Sequence, residues 1–161
     1  DVESEIENIV GVEDGVGSDD PNVHFYADEE LVRVASETGT DLIAPALGTA
    51  HGLYTASPVL LVDRVARLVA LTDIPVVLHG GTGLSAEEFQ AFIDAGVSKI
   101  NISTAVKLAY MHASRDHLAE AERTGKWEPV KLFDQIGGAV EQAVLQHIEL
   151  FGSARRVAVT A

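Results

Sequence analysis

Residues 75–88 read Pro75-Val76-Val77-Leu78-His79-Gly80-Gly81-Thr82-Gly83-Leu84-Ser85-Ala86-Glu87-Glu88. Its residues hold a strand, the turn that ends it and the start of a helix. Pro75–Leu78 is a short apolar run that predicts a buried strand, and His79-Gly80-Gly81 ends it. Ser85 stands three residues before Glu88, the spacing of a capping box, and predicts a helix through about Ala95. Towards the N-terminus, Leu42–Leu47 is a second apolar run between Asp41 and Gly48, although Pro45 sits poorly in a flat central strand. Lys99–Ile102 is a third strand. Helices are predicted from Glu29 to Ser36, from Val59 to Leu71 (with Val62, Val65, Leu68 and Val69 recurring at three and four), and from Thr104 to Ala121. Gly125 and Pro129 mark a break. The last helix is predicted over Asp134 to Leu150, with Ile136, Val140, Val144 and Ile148 on one side and Gly152 at its end. Val2–Ile6 is too short to classify alone. Asn8 to Asn22 is rich in Gly and Asp and reads as a long loop.

Strand and helix alternate as in βαβ units, which predicts an α/β fold with a parallel sheet. His51 and His79 fall just after strands and Asn101 falls within one. A TIM (β/α)8 barrel gathers its site residues at such strand ends, and an open α/β sheet does the same. The strand candidates account for about half of an eight-stranded barrel. The chain has 161 residues, with 11 Lys and Arg against 25 Asp and Glu, for a net charge of −14. That balance excludes a nucleic-acid binder that works by neutralising phosphates. An apolar content of 47% excludes wholesale disorder. Without Cys there is neither a disulfide scaffold nor a thiol nucleophile. No apolar run reaches 18 residues, so no membrane helix is expected. Asp1-Val2-Glu3 has neither Met nor a signal-peptide shape, from which a processed, cut or partly observed soluble protein is expected.

Several residues can carry chemistry. Glu3 and Glu5 share a face if Val2–Ile6 is a strand, and strand edges in an acidic protein commonly carry solvated carboxylates. His51 and His79 end different strands, each followed by Gly. Two His and a carboxylate suit Zn2+ with a position left for substrate, whereas the plain reading is two glycine turns beside packed histidines. Gly80-Gly81-Thr82-Gly83 can present N–H groups to an anion, with hydroxyls from Thr82, Ser103 and Thr104. The pattern is neither a P-loop nor a dinucleotide fingerprint. Glu13 and Asp14 serve loop solubility, or move a proton if the loop folds over a metal site. His24, His112, His117 and His147 read as surface or packing residues. Trp127 and Phe133 are expected to pack a helical junction or interface.

Taken in order, these motifs resemble the C-terminal half of the class II, metal-dependent ketose-bisphosphate aldolases, the fructose- and tagatose-bisphosphate aldolases among them. The resemblance rests on Val2-Glu3-Ser4-Glu5-Ile6, Gly11-Val12-Glu13-Asp14-Gly15, Gly48-Thr49-Ala50-His51-Gly52-Leu53-Tyr54, Val77 to Leu84 and Lys99-Ile100-Asn101-Ile102-Ser103-Thr104. It covers nearly the whole chain. It implies one aldolase-type TIM barrel, of which residues 1–161 supply the last four βα units and, from about 104, the C-terminal helices. His51, His79 and Glu5 are implied as metal ligands, with Zn2+ and a monovalent cation as cofactors. Gly52, Gly80, Gly81, Thr82, Asn101, Ser103 and Thr104 are implied to line the ketose-phosphate site. Glu13 matches the mobile-loop acid that moves the proton, and Asn101 bonds the enediolate region. Lys99 is structural, because no Schiff base is required.

The implied reaction is aldol cleavage or condensation of a ketose bisphosphate, fructose 1,6-bisphosphate to dihydroxyacetone phosphate and glyceraldehyde 3-phosphate. Tagatose bisphosphate, a deoxy-keto sugar acid phosphate and a non-catalytic phosphosugar-binding or scaffold remnant are the alternatives. A third family His and a catalytic Asp belong to the N-terminal half, so that half is an expected partner and the piece alone is expected to be inactive. A cytoplasmic homodimer or homotetramer is implied, with Lys107 to Leu150 contributing to its contacts, and no nucleic-acid or membrane partner. One position departs: the family usually has Gly where Glu7 stands. If that Gly serves a tight backbone or cation site, Glu7 disturbs it.

Overall fold

The computed structural model describes residues 1–7, 9–13, 16–18, 25–52 and 58–156. Asp14 and His24, singled out above, lie outside them, as do Leu53 and Tyr54. The chain forms two compact units, Asp1–Ile102 and Ser103–Ala161. In the first unit the elements run β1 (Glu3–Ser4), β2 (Val10–Glu13), β3 (Val16–Ser18), α1 (Asp28–Thr38), β4 (Leu42–Ile43), β5 (Ala50–His51), α2 (Val62–Leu71), β6 (Val76–Leu78), α3 (Ala86–Ala95) and β7 (Val97–Ile100). Strands β1, β4, β6 and β7 form one sheet in that order, and every neighbouring pair is parallel. Helices α1, α2 and α3 make the crossovers. The result is an α/β fold of parallel strands and helices in chain order, resembling part of a TIM barrel.

Burial explains why these segments become these elements. Val76, Val77 and Leu78 are each fully buried, as expected of a parallel strand covered on both faces. They pack in one core with Ile43, Leu47, Val65, Leu68, Phe89 and Phe92. The expected capping box is present: Ser85 Oγ accepts from Glu88 N at 3.2 Å, and Ser85 N donates to Glu88 Oε2 at 2.7 Å. Helix α1 has no side-chain cap but carries Asp28, Glu29 and Glu30 in its first turn, where the helix dipole favours negative charge.

Several boundaries differ from the expectation. Within the stretch read as one loop, Val10–Glu13 and Val16–Ser18 are strands. Strands β2 and β3 pair antiparallel, and β2 also pairs in parallel with β5 as Val10↔Ala50 and Gly11↔His51. Gly11 makes that second pairing possible, because a Cβ there would run into the His51 backbone. The strand predicted over 42–47 keeps ladder pairing only at Leu42–Ile43, since Pro45 has no N–H to donate, although Ala44, Ala46 and Leu47 stay buried. Helix α2 starts at Val62 rather than Val59, after Leu61 N donates to Leu47 O at 2.9 Å. Strand β7 begins at Val97, a core residue, rather than Lys99.

The second unit is a hairpin of α4 (Thr104–Thr124) and α5 (Pro129–Leu150), packed on one another. Gly125 caps α4 with φ 69°, and Pro129 opens α5 five residues before the predicted start, at a position where a missing N–H costs nothing. Trp127 lines a pocket of about 100 Å³ beside this junction with His117, Leu118, Ala121 and Leu132. Phe133 is largely exposed on α5. No helix among the described residues is long and apolar enough to cross a membrane.

Candidate metal centre

The strand ends of the first unit bring together residues that are distant in sequence. Glu5 follows β1, His51 ends β5, His79 follows β6 and Asn101 follows β7. Asn101 N donates to Leu78 O at 3.0 Å, which carries the β6–β7 ladder one step further and places Asn101 beside His79. Glu5, His51 and His79 each offer one ligand atom, and these atoms lie within 4.8 Å of one another. The two imidazoles stand 5.7 Å apart, centroid to centroid. Gly80 makes this approach possible. Its φ of 68° is left-handed, and a Cβ there would overlap the Ala50 backbone, with Ala50 N at 2.9 Å. The turn after β6 therefore lies directly against β5, which puts His79 beside His51.

Carboxylates hold His79 from both sides. Its Nδ1 is 3.0 Å from Glu5 Oε2 and its Nε2 is 2.8 Å from Glu3 Oε1. Glu3 and Glu5 are two residues apart, so both point to one face of the chain. Glu3 also accepts from Lys99 Nζ at 2.5 Å and from Asn101 Nδ2 at 2.8 Å, and Lys99 Nζ donates to Asn101 Oδ1 at 2.7 Å. Lys99 thus pairs with Glu3 and holds the Asn101 amide. Burial alone would push the His79 pKa down, but its hydrogen bonds and charge pairing with Glu5 and Glu3 raise it. Burial would raise Glu5, yet His79, the His51 charge and the Ile9 N–H hold it below its ordinary value. Burial would likewise raise Glu3, and its bonds to Lys99, His79 and Asn101 outweigh that and lower it.

Two imidazoles and a carboxylate form a borderline-soft donor set suited to a divalent ion. A carboxylate on the far nitrogen of a ligating histidine is the usual outer partner, fixing tautomer and ring orientation. Glu3 stands on His79 Nε2, the ring nitrogen opposite the one that faces Glu5.

Residues 1–156 match the family described as class-II fructose-bisphosphate aldolase. The chain belongs to that family. It is 37% identical over 161 residues to the 6-phospho-5-dehydro-2-deoxy-D-gluconate aldolase of Shouchella clausii (strain KSM-K16), covering 99% of this chain and 53% of that protein. It is 36% identical over 158 residues to a fructose-bisphosphate aldolase of Geobacillus stearothermophilus, covering 98% of this chain and 53% of the relative. A crystal structure from Coccidioides immitis, of a protein assigned as a fructose-1,6-biphosphate aldolase, superposes with a TM-score of 0.83 at 28% identity, over 96% of this chain and 53% of the other. This class-II aldolase chain spans about half the length of the curated relatives it matches.

The remaining expected site residues of this aldolase chain fall in several places. Gly52 has φ 86° and follows His51 directly. Gly81 packs against the Phe89 and Ile102 side chains, and Thr82 lies in the turn that Leu84 N closes on Gly81 O at 3.2 Å. Glu13 ends β2, opposite Val16 on the hairpin. Ser103 and Thr104 open α4 and belong to the second unit. At the departure from the family pattern, the Glu7 side chain is fully buried and paired with Arg64. It therefore does not sit as a loose charge beside the metal ligands. Two members of the assembly escaped the sequence reading. Glu3 was read only as the neighbour of Glu5, and its alternation with Glu5 was the sole signal. Arg64 gave none, because its partners lie 18 to 57 residues away.

Proposed function

We propose that this chain supplies the ketose-phosphate side of a class II aldolase, cleaving or joining the bond between two carbons of a phosphorylated keto sugar. The converging Glu5–His51–His79 cluster in a chain of this family carries the reading. His51, His79 and Glu5 hold the ion, which we assign as Zn2+; it supplies Lewis-acid polarisation of a carbonyl when bound. Glu3 on His79 Nε2 orients the ring, so that Nδ1, on the Glu5 side, would serve as the ligand atom. Asn101, whose Nδ2 stands 2.8 Å from Glu3 Oε1 and 2.9 Å from His79 Nε2, is assigned to bond oxygen on the substrate. Glu13, on the β2–β3 hairpin, takes and returns the proton at the ketose-phosphate carbon. Gly52, Gly80, Gly81 and Thr82 offer backbone and hydroxyl donors to the phosphate. The same assignment for Ser103 and Thr104, and that of a monovalent cation, is carried by the resemblance alone.

Fructose 1,6-bisphosphate is the substrate we assign. The relative that acts on a 6-phospho-5-dehydro-2-deoxy sugar acid favours that substrate as a second reading. In both, a further half-barrel supplies the third His and the Asp acting at the aldehyde oxygen. A cytoplasmic homodimer or homotetramer goes with this reading, supported by the exposed apolar side chains of Met111, Trp127, Val130 and Phe133. The test is a cleavage assay on the whole polypeptide that carries this chain. Fructose 1,6-bisphosphate, tagatose 1,6-bisphosphate and the deoxy sugar acid phosphate are compared before chelation, after it and after zinc is restored. Cleavage that is lost and restored with metal supports the proposal. A protein that takes up no metal and cleaves none of the three refutes it in favour of a binding remnant.

A further inference from the structure

The two chain runs that carry Glu5 and His51 lie side by side, but their ladder is interrupted. They pair at one end as Glu3↔Leu42 and Ser4↔Ile43, extended by Ala44 N donating to Ser4 O at 3.0 Å. They pair again at the other end as Val10↔Ala50 and Gly11↔His51. Between these ends Pro45 has no N–H to contribute. A side chain bridges the gap instead. Ala46 N donates to Glu7 Oε2 at 2.8 Å, and Tyr26 N donates to Glu7 Oε1 at 2.8 Å.

Arg64 on α2 completes the bridge. Its Nη1 donates to Glu7 Oε2 at 2.8 Å and to Ala46 O at 2.9 Å. Its Nη2 donates to Glu7 Oε1 at 2.8 Å and to Tyr26 O at 3.1 Å. Its Nε donates to Asp28 Oδ1 at 2.8 Å. Side-chain exposure is 0% for Glu7 and 4% for Arg64. A buried ion pair with all its groups satisfied adds little net stability over apolar residues of the same volume. What a bidentate fork adds is geometry, since it fixes distance and angle together where an apolar contact can slide.

We propose that Glu7 and Arg64 act as a positioning pair for the metal centre, holding the run that carries Glu5 in register with the run that carries His51. This rests on the metal-centre reading above. Glu7 lies two residues beyond Glu5, and Ala46 lies five residues before His51. Slippage between the two runs therefore changes the separation of two ligands that the pair itself never touches.

The experiment measures Zn2+ affinity by chelator competition, and the visible absorption of Co2+, on the whole polypeptide and on Glu7→Gln, Arg64→Lys and Leu68→Ala. Leu68 is buried on the same helix and serves as the control for lost stability. Glu7→Gln is expected to weaken Zn2+ binding about tenfold or more, the scale of an outer-sphere defect, and to shift the Co2+ bands. Arg64→Lys keeps the charge and loses the fork, so it shows a smaller loss in the same direction. Leu68→Ala stays within about twofold of the unaltered protein. If Glu7→Gln does not fold, Arg64→Lys decides. Arg64→Lys with the affinity and Co2+ spectrum of Leu68→Ala at matched stability overturns the proposal. An unaltered protein that binds neither ion overturns the metal-centre reading, and this inference with it, and is told apart because no substitution is involved.

Discussion

Gly80→Ala isolates what seats His79 next to His51. Two penalties apply at this position. A residue with a Cβ at φ 68° costs about 1–2 kcal/mol in the left-handed region. The new methyl also falls on the Ala50 backbone, with Ala50 N at 2.9 Å and the carbonyl closer still. Backbone cannot swing aside as a side-chain tip can, so the β5–β6 contact must open, at about 1–3 kcal/mol for overpacking. The expected total is about 2–5 kcal/mol. Gly39→Ala is the internal control: Gly39 has φ 71° in the same unit, yet nothing lies within 4 Å of its Cβ position. Urea denaturation of the two variants is read together with Zn2+ affinity. Gly39→Ala should lose only the backbone part and keep its affinity. Gly80→Ala should lose more stability and bind Zn2+ about tenfold or more weakly, because displacing the turn separates two ligands. Equal stability losses, with unchanged Zn2+ affinity in Gly80→Ala, would refute the view that this glycine sets the His51–His79 distance.

Three further outcomes are expected. Glu3→Gln keeps the size of the side chain but removes the charge that pairs with Lys99 and orients His79; Zn2+ affinity, read by chelator competition, falls about 10–100-fold. Glu13→Gln slows proton exchange at the ketose-phosphate carbon, followed by NMR in deuterated water, with zinc content unchanged, whereas His79→Ala loses the metal itself. Burial would raise the pKa of Asp28, but its bonds to Arg64 and Arg67 hold it below its ordinary value. A depressed carboxylate stabilises the fold above its unfolded pKa of about 3.9, and that stability is lost as pH falls through the folded value. Asp28→Asn should therefore flatten the acid limb of a stability–pH profile below about pH 4 while lowering the plateau above it.

Local patterns were legible wherever the cause was local. The Ser85–Glu88 capping box, the buried Val76–Leu78 strand and the break at Gly125 and Pro129 each depend on residues a few positions apart. Glu5, His51 and His79 were named through the ordered motifs that resemble the aldolase family, and the structure brings the three together. The hairpin at β2–β3 was hidden because Gly and Asp dominate residues 8–22, and its partner β5 lies some 40 residues on. The strand at Leu42 read too long because hydrophobicity persists through Leu47 while Pro45 removes the donor that a ladder needs.

The alternation of strand and helix, and the parallel sheet it points to, were readable in the chain from periodicity and caps, whereas Glu5, His51 and His79 came together as a ligand set through the resemblance to the aldolase family. Only the tertiary structure decided that Glu3 accepts from His79, Lys99 and Asn101 at once, that Gly80 lies against Ala50, and that the charge at Glu7 is matched by Arg64. The hydrogen bonds among these are approaches within about 3 Å of groups 57 to 98 residues apart. Such distances are set by how the strands register and pack, which no local stretch of chain records.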